Sequence, residues 1–344
     1  MKNILIVSLN SGGTMGHGRI ITSLANGLIK SKKNVTLVSE TDYSHFFNLN
    51  KGIKNIILHE TNHVNYTIGG MHDYKQKNKI LEICEREKTD GIFFSTFFDL
   101  ELVKEVKKKG IKVILLSYPI RDTFRKALIV NKAYEVFDKI ISLYDPSVNE
   151  KKLKNEIIVN PLNIVVRSIP QNGSKIDIVL TCGGGGRPSS RIFINKTYYA
   201  LKPILKEKNL KVTLIKGNSK TKEHIKGIKS IEWSKKFEGI IAFSKVVISE
   251  AGYFTMLDLI NYNKFAIFIP GKRIIDNQEL RAVMLEKYGV GKVFFPFEKK
   301  QKLTKLVKES LNNSNKDHTI TFNRVKRKFA KYKDFMSVVL EELQ

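Results

Sequence analysis

ILIVSLNSGGTMGHGRI, residues 4–20, decides the fold of this chain. The apolar run ILIVSL (4–9) is followed, within NSGGTMGHGR (10–19), by four glycines, a threonine and a histidine. Beyond it Ile20, Leu24, Leu28 and Ile29 recur at helical spacing, so the segment reads as strand, glycine-rich turn and helix. In a doubly wound sheet, ligands bind beyond the carboxyl ends of the strands, where such turns feed helix N-termini. Glycine admits positive φ there and lets a ligand approach the main chain. The unpaired N–H groups and partial positive charge of the helix end suit a phosphate or a developing anion.

The same rhythm continues along the chain. β-Rich runs recur at VTLVS (35–39), IKNIIL (53–58), GIFFS (91–95), KVILLS (112–117) and KIISL (139–143), with helix-like stretches between them, as at 79–87 and 100–109. Strands alternating with helices mean a parallel sheet. The rhythm breaks at NEIIVNPLNIVVRSIPQNGSK (155–175), the candidate linker, with two prolines and an Asn-Gly-Ser turn. It restarts with IDIVLT (176–181), KVTLI (211–215), SIEW (230–233), KVVIS (245–249) and FAIFIP (265–270).

A length of 344 residues exceeds what one core supports and leads to two domains of roughly 150–170 residues each. The expected division is 1–157, 158–320 and a C-terminal amphipathic helix over 321–344 that packs back towards the first domain. Phe322, Val325, Phe329, Tyr332, Met336, Val339, Leu340 and Leu343 form one stripe of that helix, opposite a face rich in lysine and arginine.

No apolar run reaches the ~18–20 residues that span a bilayer, and ILIVSL is too short for a signal-peptide core. Cys84 and Cys182 belong to no CxxC or Cys/His cluster, which disfavours structural zinc and fits a reducing cytoplasm. The formal charge of +27 has three readings: nucleic acid, an anionic membrane surface, or lysine-rich composition alone. The basic residues are mostly lysines spread along the whole chain, whereas groove readers concentrate arginine on one element.

A second glycine turn follows IDIVLT. TCGGGGRPSSR (181–191) carries Gly183, Gly184, Gly185 and Gly186, then Arg187, Pro188 at a first helical turn, and the hydroxyls of Ser189 and Ser190. Neither turn is a GxxxxGK[ST] loop or a strict GxGxxG, and either alone is weak. Two of them at equivalent places in successive domains are much stronger. After KVVIS, Gly252 and Thr255 open a helix, and Asp258 follows one turn later, where a carboxylate can accept both ribose hydroxyls. Gln278 and Glu279 follow the strand FAIFIP.

GGTMGH (12–17), Asn160–Pro161, the glycines 183–186, S-x-A-G-x-x-T-x-x-D (249–258) and P-x-x-x-x-x-D-N-Q (270–278) together resemble inverting GT-B glycosyltransferases of the MurG-like family 28 type. These transfer N-acetylglucosamine from UDP to lipid-linked acceptors. The resemblance spans both halves of the chain and implies two Rossmann-like domains facing across a cleft. It assigns Gly12, Gly13, Thr14 and Gly16 to the acceptor-side phosphate loop, with His17 as the loop histidine. The diphosphate loop falls on Gly183–Gly186, the ribose carboxylate on Asp258 in place of the usual glutamate, and the sugar-contacting pair on Gln278–Glu279. The uracil-facing segment falls on Trp233–Ser234. Where many relatives have an arginine after Asn160–Pro161, this chain has Asn163.

Inverting transfer needs a base on one face of the sugar while the diphosphate leaves from the other. His17 is the candidate base, and Asp99, shortly after GIFFS, either orients it, serves as base itself, or caps a helix. No D-x-D metal motif occurs, the nearest form being Asp99-Leu100-Glu101. Helix N-termini with Arg187 and Ser189 are therefore expected to stabilise the leaving UDP, with no cofactor and no obligatory metal. His72, beside Gly69 and Gly70, reads as an exposed loop histidine, and the remaining histidines show no ligating pattern.

A lipid-linked acceptor would bring the protein to the cytoplasmic face of a membrane. PIRDTFRKALIVNKAYEVF (119–137) mixes Arg121, Arg125, Lys126 and Lys132 with Phe124, Leu128, Ile129 and Val130, a composition suited to anionic headgroups. Packing on its own sheet explains those apolar residues equally well. The expected partners are thus a UDP-sugar, a lipid-linked or glycan acceptor and an anionic membrane surface. The alternatives are a UDP-sugar 2-epimerase, disfavoured by the lack of acidic residues beside 183–190, and a basic nucleic-acid-binding protein, which would need aromatic platforms or an arginine-rich element.

Overall fold

The computed structural model describes residues 2–9, 15–58, 74–148, 152–164, 175–184, 188–207, 209–217, 226–232, 237–273, 275–314 and 316–344, with the backbone alone at 188, 189, 191 and 207. The chain divides into two units, Met1–Ile164 with Tyr332–Gln344, and Val165–Lys331.

Strands such as GIFFS, buried along their whole length, suit a parallel sheet covered on both faces. The first unit holds β1 (Asn3–Ser8), β2 (Asn34–Ser39), β3 (Lys54–Ile57), β4 (Gly91–Ser95), β5 (Lys112–Ser117), β6 (Lys139–Leu143) and β7 (Glu156–Val159). They form a sheet in the order β3-β2-β1-β4-β5-β6-β7, every pair parallel. The connections carry α1 (Met15–Lys30), α2 (Lys77–Arg86), α3 (Leu100–Lys108) and α4 (Asp122–Val130). Ile20, Ile21, Leu24 and Leu28 of α1 are completely buried. A Cβ on Gly18 would lie 2.3 Å from the Tyr43 ring, so glycine is what lets α1 approach that ring.

The second unit repeats the plan. β8 (Ile176–Thr181), β9 (Val212–Ile215), β10 (Lys229–Ile231), β11 (Ser244–Ser249), β12 (Ala266–Phe268) and β13 (Gly291–Val293) form a parallel sheet in the order β10-β9-β8-β11-β12-β13. Its helices are α5 (Pro188–Glu207), α6 (Phe237–Ala242), α7 (Tyr253–Asn261), α8 (Gln278–Lys287), α9 (Lys300–Asn312) and α10 (Thr319–Phe329). The strand order reverses beside β1 in one sheet and beside β8 in the other, the place where doubly wound sheets bind ligands. Each reversal is marked by strained backbone: Thr96 just after β4 and Ala251 just after β11 have φ +63° and +61°.

Four features differ from the sequence expectation. The stretch at 155–175 is not linker throughout, because its first residues form β7, and β13 is a strand with no matching run. The unit boundary falls at Ile164 and Val165. The tail is two helices rather than one: α10 packs on α7 within the second unit, and α11 (Phe335–Glu342) packs on β6 and α1 within the first. The break is fixed by Asp334, which caps α11 by accepting from Ser337 N at 3.1 Å. Asn160 N donates to Lys333 O at 2.8 Å, and Lys112 and Lys139 each reach the Glu342 carboxylate at 3.3 Å.

Candidate functional site

The second unit concentrates glycine and charge at the carboxyl ends of its central strands. After β8, Gly183 N donates to Thr181 Oγ1 at 3.2 Å, and Gly183 takes φ +65°. Gly217, after β9, has φ +62°, and a Cβ there would lie 2.4 Å from Gly184 O. The two turns therefore pass backbone against backbone, and a side chain at 217 would push the 183–184 turn aside. α5 opens at Pro188 with no acidic residue in its first turn, which leaves the positive end of the helix without a counter-charge of its own. Ser190 is completely buried in α5, beside the Cys182 thiol, so its hydroxyl is not offered to a ligand arriving from solvent. Gly185, Gly186, Arg187, Trp233 and Ser234, and the side chain of Ser189, lie outside the described residues.

Beyond β11, Gly252 is the N-cap of α7 and Thr255 is nearly buried in its first turn. Asp258 is completely buried on the same helix, so its carboxylate is not exposed to a ribose in this structure. Asn277 caps α8, accepting from Leu280 N at 3.2 Å. Gln278 is 5% exposed and accepts from Gly271 N at 3.2 Å, which ties α8 to the turn after β12, while Glu279 beside it is half-buried.

Three charged residues that the sequence did not single out complete this corner. Glu250, 3% exposed, pairs through Oε2 with Arg273 Nη2 at 2.5 Å. Arg281 donates to Ala251 O at 3.0 Å and to Asp276 Oδ1 at 2.7 Å, with its guanidinium 5.3 Å from the Tyr253 ring centre. It thereby braces the strained turn between β11 and α7. A charged residue directly behind the buried run VVIS was the available signal for Glu250. Nothing in the local sequence announces its partner, 23 residues away.

In the first unit His17 occupies the first turn of α1. Its Nδ1 is 3.5 Å from Ser95 Oγ, and its ring centre is 4.4 Å from that of Tyr118 and 5.4 Å from that of Phe97. Tyr118 in turn donates its hydroxyl to Gly16 O, and its backbone N–H reaches Thr96 Oγ1 at 3.3 Å. Gly12, Gly13, Thr14 and His72 lie outside the described residues.

Asp99 does not orient His17. It is 2% exposed and caps α3, Oδ1 accepting from Leu102 N at 2.9 Å and Oδ2 from Tyr74 N at 2.7 Å, with Lys77 Nζ at 3.3 Å. These contacts tie the carboxylate to a loop and a helix end. Asn163 binds Asp334 Oδ1 at 2.8 Å, a contact within the first unit.

The segment 119–137 is also partly committed. Arg125 is buried and meets Glu156 through two hydrogen bonds of 3.0 and 2.6 Å, and Leu128 is buried. Ile129 and Val130 are exposed between Lys126 and Lys132, which are exposed too. Among the described residues no helix is long and apolar enough to cross a membrane, and no group of three His, Cys, Asp or Glu side chains is placed to hold a metal ion.

Residues 179–336 match the glycosyltransferase family 28 C-terminal domain. No curated protein matches the chain. Among solved structures, the spinosyn forosaminyltransferase SpnP is similar over 100% of this chain and 99% of its own, with TM-score 0.72 and 12% identity. The glycotransferase of kitacinnamycin is similar over 99% of this chain and 98% of its own, with TM-score 0.71 and 11% identity. The spinosyn rhamnosyltransferase SpnG, complexed with thymidine diphosphate, covers 100% of both chains with TM-score 0.65 and 12% identity. The chain has the GT-B fold of glycosyltransferases, built from two Rossmann-like units, and most of its second unit matches the glycosyltransferase family 28 C-terminal domain.

Proposed function

We propose that this protein is an inverting glycosyltransferase that moves N-acetylglucosamine or another hexose from a UDP-sugar to a hydroxyl of a lipid-linked acceptor. The observation that carries this reading is the turn at Gly183–Gly184, packed against Gly217 and followed in the chain by α5, whose first turn holds no acidic residue, inside the segment that matches the family 28 domain. Main-chain N–H groups there take the diphosphate, joined by Arg187 and Ser189. A diphosphate nucleotide bound to SpnG, which shares the fold, supports a nucleotide diphosphate as ligand. Trp233–Ser234 face the base, and Gln278 and Glu279 meet the sugar.

His17 is the base. Its Nδ1 lies 3.5 Å from Ser95 Oγ, and the imidazole takes the acceptor proton. Negative charge developing on UDP is met by helix and main-chain dipoles, and turnover needs no divalent metal. The exposed Ile129 and Val130, flanked by lysines, bring the first unit to an anionic membrane where the acceptor lies.

The test is to incubate a panel of radiolabelled nucleotide sugars with the protein and a lipid extract. The expected result is a labelled lipid product and stoichiometric UDP, unchanged by EDTA. A sugar isomerised without any acceptor would replace this reading by the epimerase.

A further inference from the structure

A cavity of about 480 Å³ opens at the other end of the second sheet, where β8, β11 and β12 begin. Among the described residues five lysines line it against one carboxylate, Glu309, which is exposed and has Lys305 beside it at 3.8 Å. Lys245 is held by Asp177 at 2.7 Å, and Lys292 stands 3.9 Å from Glu286. Lys175 and Lys316 make no side-chain hydrogen bond or ion pair among the described residues.

Lys264 is the unusual member. Its ammonium is half-buried and donates only to a neutral acceptor, Ser244 O, at 3.0 Å. Lys326, next to the cavity, is alike: it donates to Asn261 O and to Asn263 Oδ1, and Asn263 lines the cavity. Burial holds both ammoniums below the usual lysine range. Removing a cation from water without a counter-ion costs free energy, which an arriving anion returns. Ser310, Ser314 and Asn313 add neutral polar groups, and the His318 ring stacks on Phe265 at 5.2 Å along the wall.

We propose that this cavity is an anion site that binds a phosphate group, at the opposite end of the sheet from the turn at Gly183–Gly184. Lys264 supplies the central charge, and Lys175 and Lys316 close on the anion from the rim. A phosphate monoester carries up to two negative charges and several acceptor oxygens, which matches a set of ammoniums better than a carboxylate does. The phosphate can belong to a soluble molecule or to a lipid headgroup; the chemistry of capture is the same.

The test follows the His318 imidazole by NMR in the full-length protein labelled at its histidines, its signal assigned by loss in His318→Gln. Inorganic phosphate is titrated against sodium chloride at matched ionic strength. The expected result is a saturable movement with phosphate alone. Lys175→Gln with Lys316→Gln, both on the surface, should weaken it about tenfold, as expected for losing charge-assisted hydrogen bonds. Lys264→Met should abolish it, and if that variant does not fold, the surface pair decides. Vesicles of phosphatidylcholine with and without phosphatidic acid form the second arm. A response to phosphatidic acid vesicles without one to free phosphate assigns the site to a lipid headgroup, and the reverse assigns it to a soluble phosphate. Movement equal in chloride and phosphate, movement unchanged by the lysine substitutions, or no response in either arm overturns the proposal.

Discussion

His17 Nδ1 lies 3.5 Å from Ser95 Oγ, so the imidazole at the head of α1 rests against the end of β4 with a hydroxyl and two aromatic rings around it. A contact at this distance is at the weak limit of a hydrogen bond, and the packing of Tyr118 and Phe97 does much of the orienting. His17→Ala should lower kcat by about 10²–10⁴-fold, the range for a lost general base, with little change in donor KM. Ser95→Ala should cost far less.

Asp99 separates the two readings of the site. Asp99→Asn keeps one acceptor oxygen for the α3 cap but loses the acceptor for Tyr74 N–H, so kcat should stay near wild type with a modest loss of stability, whereas Asp99→Ala removes both acceptors and should lower stability further, by about 1 kcal/mol or more. Steady-state kinetics with thermal melts distinguish these outcomes. A kcat for Asp99→Asn as low as that of His17→Ala would restore the aspartate as His17's partner.

Gly217→Ala should raise the dissociation constant for UDP at least tenfold, because its Cβ meets Gly184 O at 2.4 Å and displaces the turn. Gly110→Ala is the control. Gly110 has φ +76° and nothing within 4 Å of the added carbon, so the change should cost about 1 kcal/mol of stability and leave UDP binding intact. Calorimetric titration with UDP checks both.

The Arg125–Glu156 pair should dominate the acid stability of the first unit. Burial raises the Glu156 pKa, but hydrogen bonds from Arg125, Ser142 and Leu153 N more than offset it, and the carboxyl sits below the usual glutamate value of 4.5. A depressed pKa contributes stability that is fully present above 4.5 and drains away as pH falls from there through the folded value. Glu156→Gln should destabilise the protein by about 3–5 kcal/mol at neutral pH, since it removes the carboxylate of a buried ion pair. It should also flatten the pH dependence of urea midpoints below pH 4.5.

Burial pushes the thiols of Cys84 and Cys182 up to about 11. Both should resist iodoacetamide at pH ~8 in the folded protein and react promptly in denaturant, as mass spectrometry would show. Rapid native labelling of Cys182 would mean that the end of β8 is open to solvent.

The doubly wound architecture was legible because fully buried parallel strands must be written as apolar runs, and each central strand here is one. The edge strands were not. EIIV of β7 sits inside a proline-bearing stretch, and GKV of β13 is too short to carry a pattern. The tail read as one helix because Tyr332 happens to continue the apolar stripe through the turn; the break was written only in Asp334 and Ser337. Likewise the glycine turns announced a site, whereas Glu250–Arg273 and the bracing role of Arg281 depend on strands and loops meeting in space. Asp99 illustrates the opposite hazard: an aspartate placed just before an apolar helix is first of all a cap.

A crystal structure of the protein with UDP tests the central claim most directly. The diphosphate should lie within hydrogen-bond distance of the main chain at Gly183–Gly184 and of the first turn of α5, with the uridine towards Trp233. UDP bound at any other part of the second unit, or a clear UDP complex in which those main-chain groups make no phosphate contact, would contradict it.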